Sequence, residues 1–127
     1  MSVFFVCTGL LGLLAVVLTL NVGRMRGKKK VFLGDGGDAE LIAAIRAHGN
    51  LLELTPLCLF TIWLMHGHYG DSFVAILSVV LAVARLLHAG GMLGFIGFGR
   101  FAGAVGTTAV MAVAAISLGL SGLGAGH

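Results

Sequence analysis

The chain has very little charge: Lys, Arg, Asp and Glu together make up 10% of its 127 residues. Soluble globular domains carry about 25%. That scarcity excludes a soluble globular enzyme, a disordered tail and a nucleic-acid-binding domain. The sequence also holds a single proline, one tyrosine, one tryptophan and two cysteines. One proline leaves no Pro-rich linker, and neither an internal repeat nor a second domain is visible. Cys7 and Cys58 each sit within an apolar run, which argues against a disulfide framework and leaves them as packing residues. His66 and His68 stand without further ligands and read as solvated, so no metal site is expected.

What is abundant is apolar. Hydrophobic residues make up 58% of the chain, and the mean hydropathy is +1.07. A membrane-spanning helix needs about 20 predominantly apolar residues. Four segments supply that length, at about 2–22, 38–65, 72–89 and 101–123. The expectation is an all-α integral membrane protein: one domain, 1–127, folded as an antiparallel bundle of four transmembrane helices. The first segment is expected to be a retained helix and not a signal peptide, because its cations follow the apolar run instead of preceding it. Asp38 is a natural N-cap for the second segment, and Glu40 complements its dipole. Ala102, Gly103, Ala104, Gly106, Ala112, Ala114 and Ala115 predict close helix contacts for the fourth.

The cations set the expected orientation. Arg24, Arg26, Lys28, Lys29 and Lys30 fall in the first link, none falls in the second, and Arg100 closes the third. The first and third links are therefore predicted to be cytoplasmic, with both termini on the opposite side. Lys28–Lys30 suit anionic headgroups, while Trp63 and Tyr69 read as interfacial aromatics at the far end. The link at 90–100 is glycine-rich, which fits a plain turn as well as a lid.

The informative residues are charges inside the apolar segments. An ionised side chain near the bilayer centre costs about 2.5–3.5 kcal/mol on insertion scales, so it needs a partner or a purpose. Arg46, Asn50 and Glu53 follow an i, i+4, i+7 spacing and share an arc of about 60° on one helix face. Pro56 follows them and removes a backbone donor. Counting about 1.5 Å per residue places Glu53 and Arg85 at one depth, with His88 a turn below. A structural ion pair between Glu53 and Arg85 is the plain expectation. Arg46 and Arg100 remain, with Arg24 and Arg26 close by. That surplus of guanidinium suits an anionic ligand, although snorkelling to the headgroups would also accommodate it.

These residues carry a resemblance. The run Arg46-Ala47-His48-Gly49-Asn50-Leu51-Leu52-Glu53-Leu54-Thr55-Pro56 resembles the second-helix signature of the MAPEG family, the membrane-associated proteins in eicosanoid and glutathione metabolism. Gly34-Asp35-Gly36-Gly37, with Glu40 and Leu41, is similar to the small bacterial inner-membrane branch. Ala84-Arg85-Leu86-Leu87-His88 is similar to the family's third-helix pattern, and Arg100 stands where the family opens its fourth helix. The resemblance implies a homotrimer in the bacterial inner membrane, with glutathione as co-substrate held between subunits. It implies glutathione contacts from Arg46, Asn50 and Glu53, from His88, and from Arg24 or Arg26. It implies Arg100 as the catalytic residue that stabilises the thiolate, and a transferase or peroxidase acting on a lipophilic electrophile that arrives through the lipid. Leu54, Met92 and Ala104 stand where relatives carry tyrosines, so a catalytically silent binding protein is the alternative. A small four-helix exporter fits less well, because the first segment carries no formal charge.

Overall fold

In the computed structural model, which describes residues 1–124, four helices alternate in direction: α1 Ser2–Lys29, α2 Ala39–Leu64, α3 Asp71–Met92 and α4 Gly99–Gly124. The protein is an all-α integral membrane bundle. The last residues of the expected domain, 125–127, lie outside the described part. By length and composition α1, α3 and α4 each suffice to cross a membrane. The polar groups of α2, from Arg46 to Glu53, keep it out of that set.

The first helix runs seven residues past the expected end at Val22, so Arg24, Arg26, Lys28 and Lys29 are helical and not part of a loop. Cations in the last turn complement the carbonyl end of the helix dipole. Lys30 then takes a left-handed conformation (φ 56°) and returns its N–H to the Arg26 carbonyl, which ends the helix. Arg26 Nη1 donates to the carbonyls of Val31 and Gly34, at 3.2 and 2.8 Å, and braces the link. Asp38 caps α2 as expected, accepting from the Leu41 N–H at 2.9 Å. That N–H and then the Lys29 ammonium hold the Asp38 carboxyl below the usual carboxylate range. Lys29 bridges Asp38 at 2.9 Å and Glu40 at 2.7 Å, so it staples α1 to α2 and is not left for headgroups.

The helices pack as a rhombus. α2 and α3 each touch every other helix, whereas α1 and α4 do not meet. α1 buries a narrow seam, Phe4, Leu11, Leu18 and Met25, whose seven-residue spacing keeps one face inward. The α3–α4 seam is tighter. Buried Gly103 lies against the Ala84 carbonyl and His88, and Gly99 lies against the Leu87 carbonyl. Of the small residues on α4, Gly103 and Ala114 are buried there, whereas Ala104, Ala112 and Ala115 face outward. At the far end Tyr69 closes the bundle, donating to the Ser117 carbonyl at 2.7 Å and accepting from Ser121 at 3.1 Å.

Candidate functional site

The α2 stripe forms as a unit. Arg46 Nη2 donates to Asn50 Oδ1 at 2.9 Å, and Arg46 Nη1 lies 3.6 Å from Glu53 Oε1. The stripe does not face the bundle interior. Leu41, Ala44, Ala47, Leu51 and Cys58 point inward from α2, so the stripe lies on its outward flank. The Arg46 and Glu53 side chains are 53% and 59% exposed in the single chain. Glu53, about 18 Å from the outer end of α2, stands in hydrocarbon unless it is covered, whereas Arg46 lies near the expected cytoplasmic boundary, within reach of headgroups. Chemically the stripe offers a guanidinium fork to a carboxylate, a carboxylate to an ammonium, and an amide between them.

The expected Glu53–Arg85 ion pair does not form within the chain. The two side chains point to different sides of the bundle. Glu53 is exposed and takes Arg46 as its partner. Arg85 is 2% exposed, and its Nη1 donates to Thr107 on α4 at 3.4 Å. Among the described residues no carboxylate lies within salt-bridge reach of Arg85, and its Nε has no hydrogen-bond partner.

The remaining candidates are dispersed. His88 is buried one turn after Arg85, with Nδ1 unpartnered, and Gly103 presses against its Cβ. Arg100 is exposed in the first turn of α4, where its backbone abuts Gly91. Arg26 is committed to the link. Arg24 Nη2 contacts Asn21 Oδ1 at 3.0 Å and helps line a cavity of about 410 Å³ between the basic end of α1, the start of α2 and the end of α3. Lys28, Glu40, Met92 and Phe95 also line it. Ala39 and Ala43, at its edge, lie within about 60° of Arg46 around the α2 axis, so cavity and stripe adjoin. This cavity was not legible in the residues alone, because it depends on where three helix ends meet. The chain by itself therefore assembles the stripe and a neighbouring basic cavity. It does not bring Arg100 or His88 into contact with the stripe.

Two curated relatives, each called inner membrane protein YecN, come from Escherichia coli strain K12 and Escherichia coli O6:H1 strain CFT073. Each is 36% identical over 80 residues, covering 62% of this chain and 61% of the relative. The chain thus aligns with about three fifths of the length of those relatives. The model of the MAPEG family matches residues 4–120, which includes the stripe, Arg85, His88 and Arg100. With the four-helix membrane fold and the α2 signature in place, the chain belongs to the MAPEG family.

Proposed function

We propose that the protein binds glutathione between copies of itself and presents the thiol to a lipophilic electrophile arriving from the bilayer, as a glutathione transferase or peroxidase. The observation that carries this reading is the Arg46–Asn50–Glu53 stripe, formed within the chain yet exposed on the flank of a membrane helix. A neighbouring copy covers the stripe, and a homotrimer is the assembly we propose. Glutathione matches the chemistry offered, since it carries two carboxylates and one ammonium. Arg46 and Asn50 hold a carboxylate and a peptide group, while Glu53 meets the ammonium. Arg24, at the adjoining cavity, takes the second carboxylate. His88 is buried within the chain and contributes only if the neighbouring copy opens a path to it.

Arg100 has the exposure that a thiol-activating group needs. A free thiol titrates near pH 8.5, so a downward shift of about one unit needs roughly 1.4 kcal/mol of added thiolate stabilisation. One adjacent guanidinium is of that order. The thiolate then attacks the electrophilic carbon, and the leaving group departs with the bonding pair. The relatives' name supports an inner-membrane location, and the cations at the end of α1 and the start of α4 support cytoplasmic first and third links. A second reading, a silent glutathione-binding relative, is favoured by one observation: the only tyrosine is committed to Ser117 and Ser121 at the far end. Turnover would rest on Arg100 alone.

Conjugation of glutathione to chlorodinitrobenzene by the purified protein, with Arg100→Leu beside wild type, tests the enzymatic reading. It predicts loss of conjugation and of the bound thiolate absorbance in the variant, with glutathione still retained. Equal rates in the two proteins contradict the role of Arg100. Binding without turnover in the wild type establishes the silent reading.

A further inference from the structure

The cavity of about 410 Å³ at the basic end of the bundle holds more than the glutathione reading uses. That reading takes one of its groups, the Arg24 guanidinium. Two features stay unassigned. One is Lys28, a turn after Arg24 on the same face of α1. The other is an apolar wall, made by Met25 from α1 and by Met92, Leu93 and Phe95 where α3 gives way to the third link.

The positive charge here is not balanced from within. Among the described residues no carboxylate lies within salt-bridge reach of Arg24 or Lys28. Glu40 also lines the cavity, but its carboxylate is held at 2.7 Å by Lys29, which takes Asp38 as well. Arg24 engages Asn21 and Met25 through Nη2 alone. The apolar wall is equally uncovered. Phe95 is 82% exposed although its link is anchored: the Phe95 and Ile96 N–H groups both donate to the Gly90 carbonyl, at 2.8 and 3.3 Å, and Gly91 lies against the Arg100 backbone. The closed link thus holds the Phe95 ring at the cavity without burying it. Phe98 and Phe101, further along the chain at the same end, are exposed too. Aromatic rings at a helix end belong at headgroup level.

We propose that this cavity binds the headgroup of an anionic phospholipid, with the phosphate between Arg24 and Lys28 and the glycerol and first acyl carbons against Met92, Leu93 and Phe95. Charge, size and wall together select that class. Two unpaired cations favour a phosphate with no ammonium of its own, since a zwitterionic headgroup would bring a third positive charge. The volume fits a headgroup and not a whole lipid, so the chains run along the outside of the bundle. A soluble phosphate would satisfy the cations yet leave the apolar wall in water. Basic pockets between spanning helices are known to serve anionic headgroups in this way. A guanidinium has N–H donors enough for a phosphate oxygen as well as a glutathione carboxylate, so the inference does not depend on glutathione at the stripe.

The test is native mass spectrometry of the detergent-purified full chain, titrated with phosphatidylglycerol or with phosphatidylcholine of identical chains. Wild type should bind phosphatidylglycerol saturably, and about tenfold or more tightly than phosphatidylcholine. Lys28→Gln, at an exposed position, should lose that preference while melting temperature and glutathione binding stay unchanged. Phe95→Ser should weaken both lipids and keep the preference. Arg46→Ala should bind lipid as wild type does while losing glutathione, so the two readings fail separately. Glycerol phosphate, which has the phosphate and no chains, should not displace the lipid at matching concentration. Equal binding of the two lipids by wild type overturns the proposal, as does no lipid binding at all. So does wild-type affinity for phosphatidylglycerol in Lys28→Gln, or displacement by glycerol phosphate, which would make the occupant a soluble anion.

Discussion

Gly103→Ala perturbs the seam that fixes α4, and therefore Arg100, against α3. A Cβ at residue 103 would stand 2.5 Å from the His88 Cβ and 2.6 Å from the His88 N, and it would also meet the Ala84 carbonyl. Carbon atoms in ordinary contact lie about 3.5–4.0 Å apart. The helices must therefore separate by roughly 1 Å locally, and most of the obstructing atoms are backbone that cannot rotate away. A radial gap of about 0.5–1 Å already forfeits a quarter to a half of each dispersion contact along the seam. Overpacking a filled interior costs typically about 1–3 kcal/mol, and a backbone obstruction belongs at the upper end. The intrinsic helix preference of Ala over Gly, about 1 kcal/mol, offsets part of this. We expect a net loss of about 2 kcal/mol. The assay is unfolding in mixed detergent micelles, followed by circular dichroism, with Gly119→Ala as control. A Cβ at Gly119 meets nothing within 4 Å, so that variant should match wild type or exceed it. Wild-type stability in Gly103→Ala would refute the close approach of α3 and α4.

Three further outcomes follow from the same geometry. Arg85→Met should be at least as stable as wild type, because it removes a buried guanidinium that has no carboxylate partner among the described residues; a large drop in melting temperature would mean that its charge is paired. The Asp38 carboxyl is held low, chiefly by the Leu41 N–H, so its stabilisation is present above the unfolded carboxylate pKa near 4 and is lost as pH falls through the lowered native value. Asp38→Asn keeps a capping oxygen, and its melting temperature should fall less steeply in acid than that of wild type. The detergent-subtracted mass should be that of a trimer, whereas a monomer would leave Arg46 and Glu53 without cover.

Much of the fold was legible because lipid makes the rules strict: long apolar runs and an Asp N-cap mark the helices directly. The end of α1 was not, since Gly23 and the cations read as a loop, while in the structure the same cations complement the helix terminus. The stripe was legible because Arg46, Asn50 and Glu53 lie on one helix, where spacing alone fixes their relation. The Glu53–Arg85 pair failed because it spans two helices. Hydropathy gives depth along the membrane normal but not rotation about each axis. Rotation is set by Gly103, Gly99 and the Ala84–His88 surface, which turn Arg85 toward Thr107. Lys29 was misread for a similar reason, because the link geometry that brings it to Asp38 and Glu40 depends on Lys30 turning left-handed.

The most direct measurement is a calorimetric titration of glutathione into the detergent-purified assembly, with wild type and Arg46→Ala compared under one condition. Charged hydrogen bonds are worth about 1.5–3 kcal/mol, so losing the Arg46 fork should weaken binding about tenfold to a hundredfold or more. The account predicts saturable binding by wild type and that weakening in the variant, at unchanged mass and helicity. No saturable binding by wild type, or equal affinity in Arg46→Ala, would contradict it.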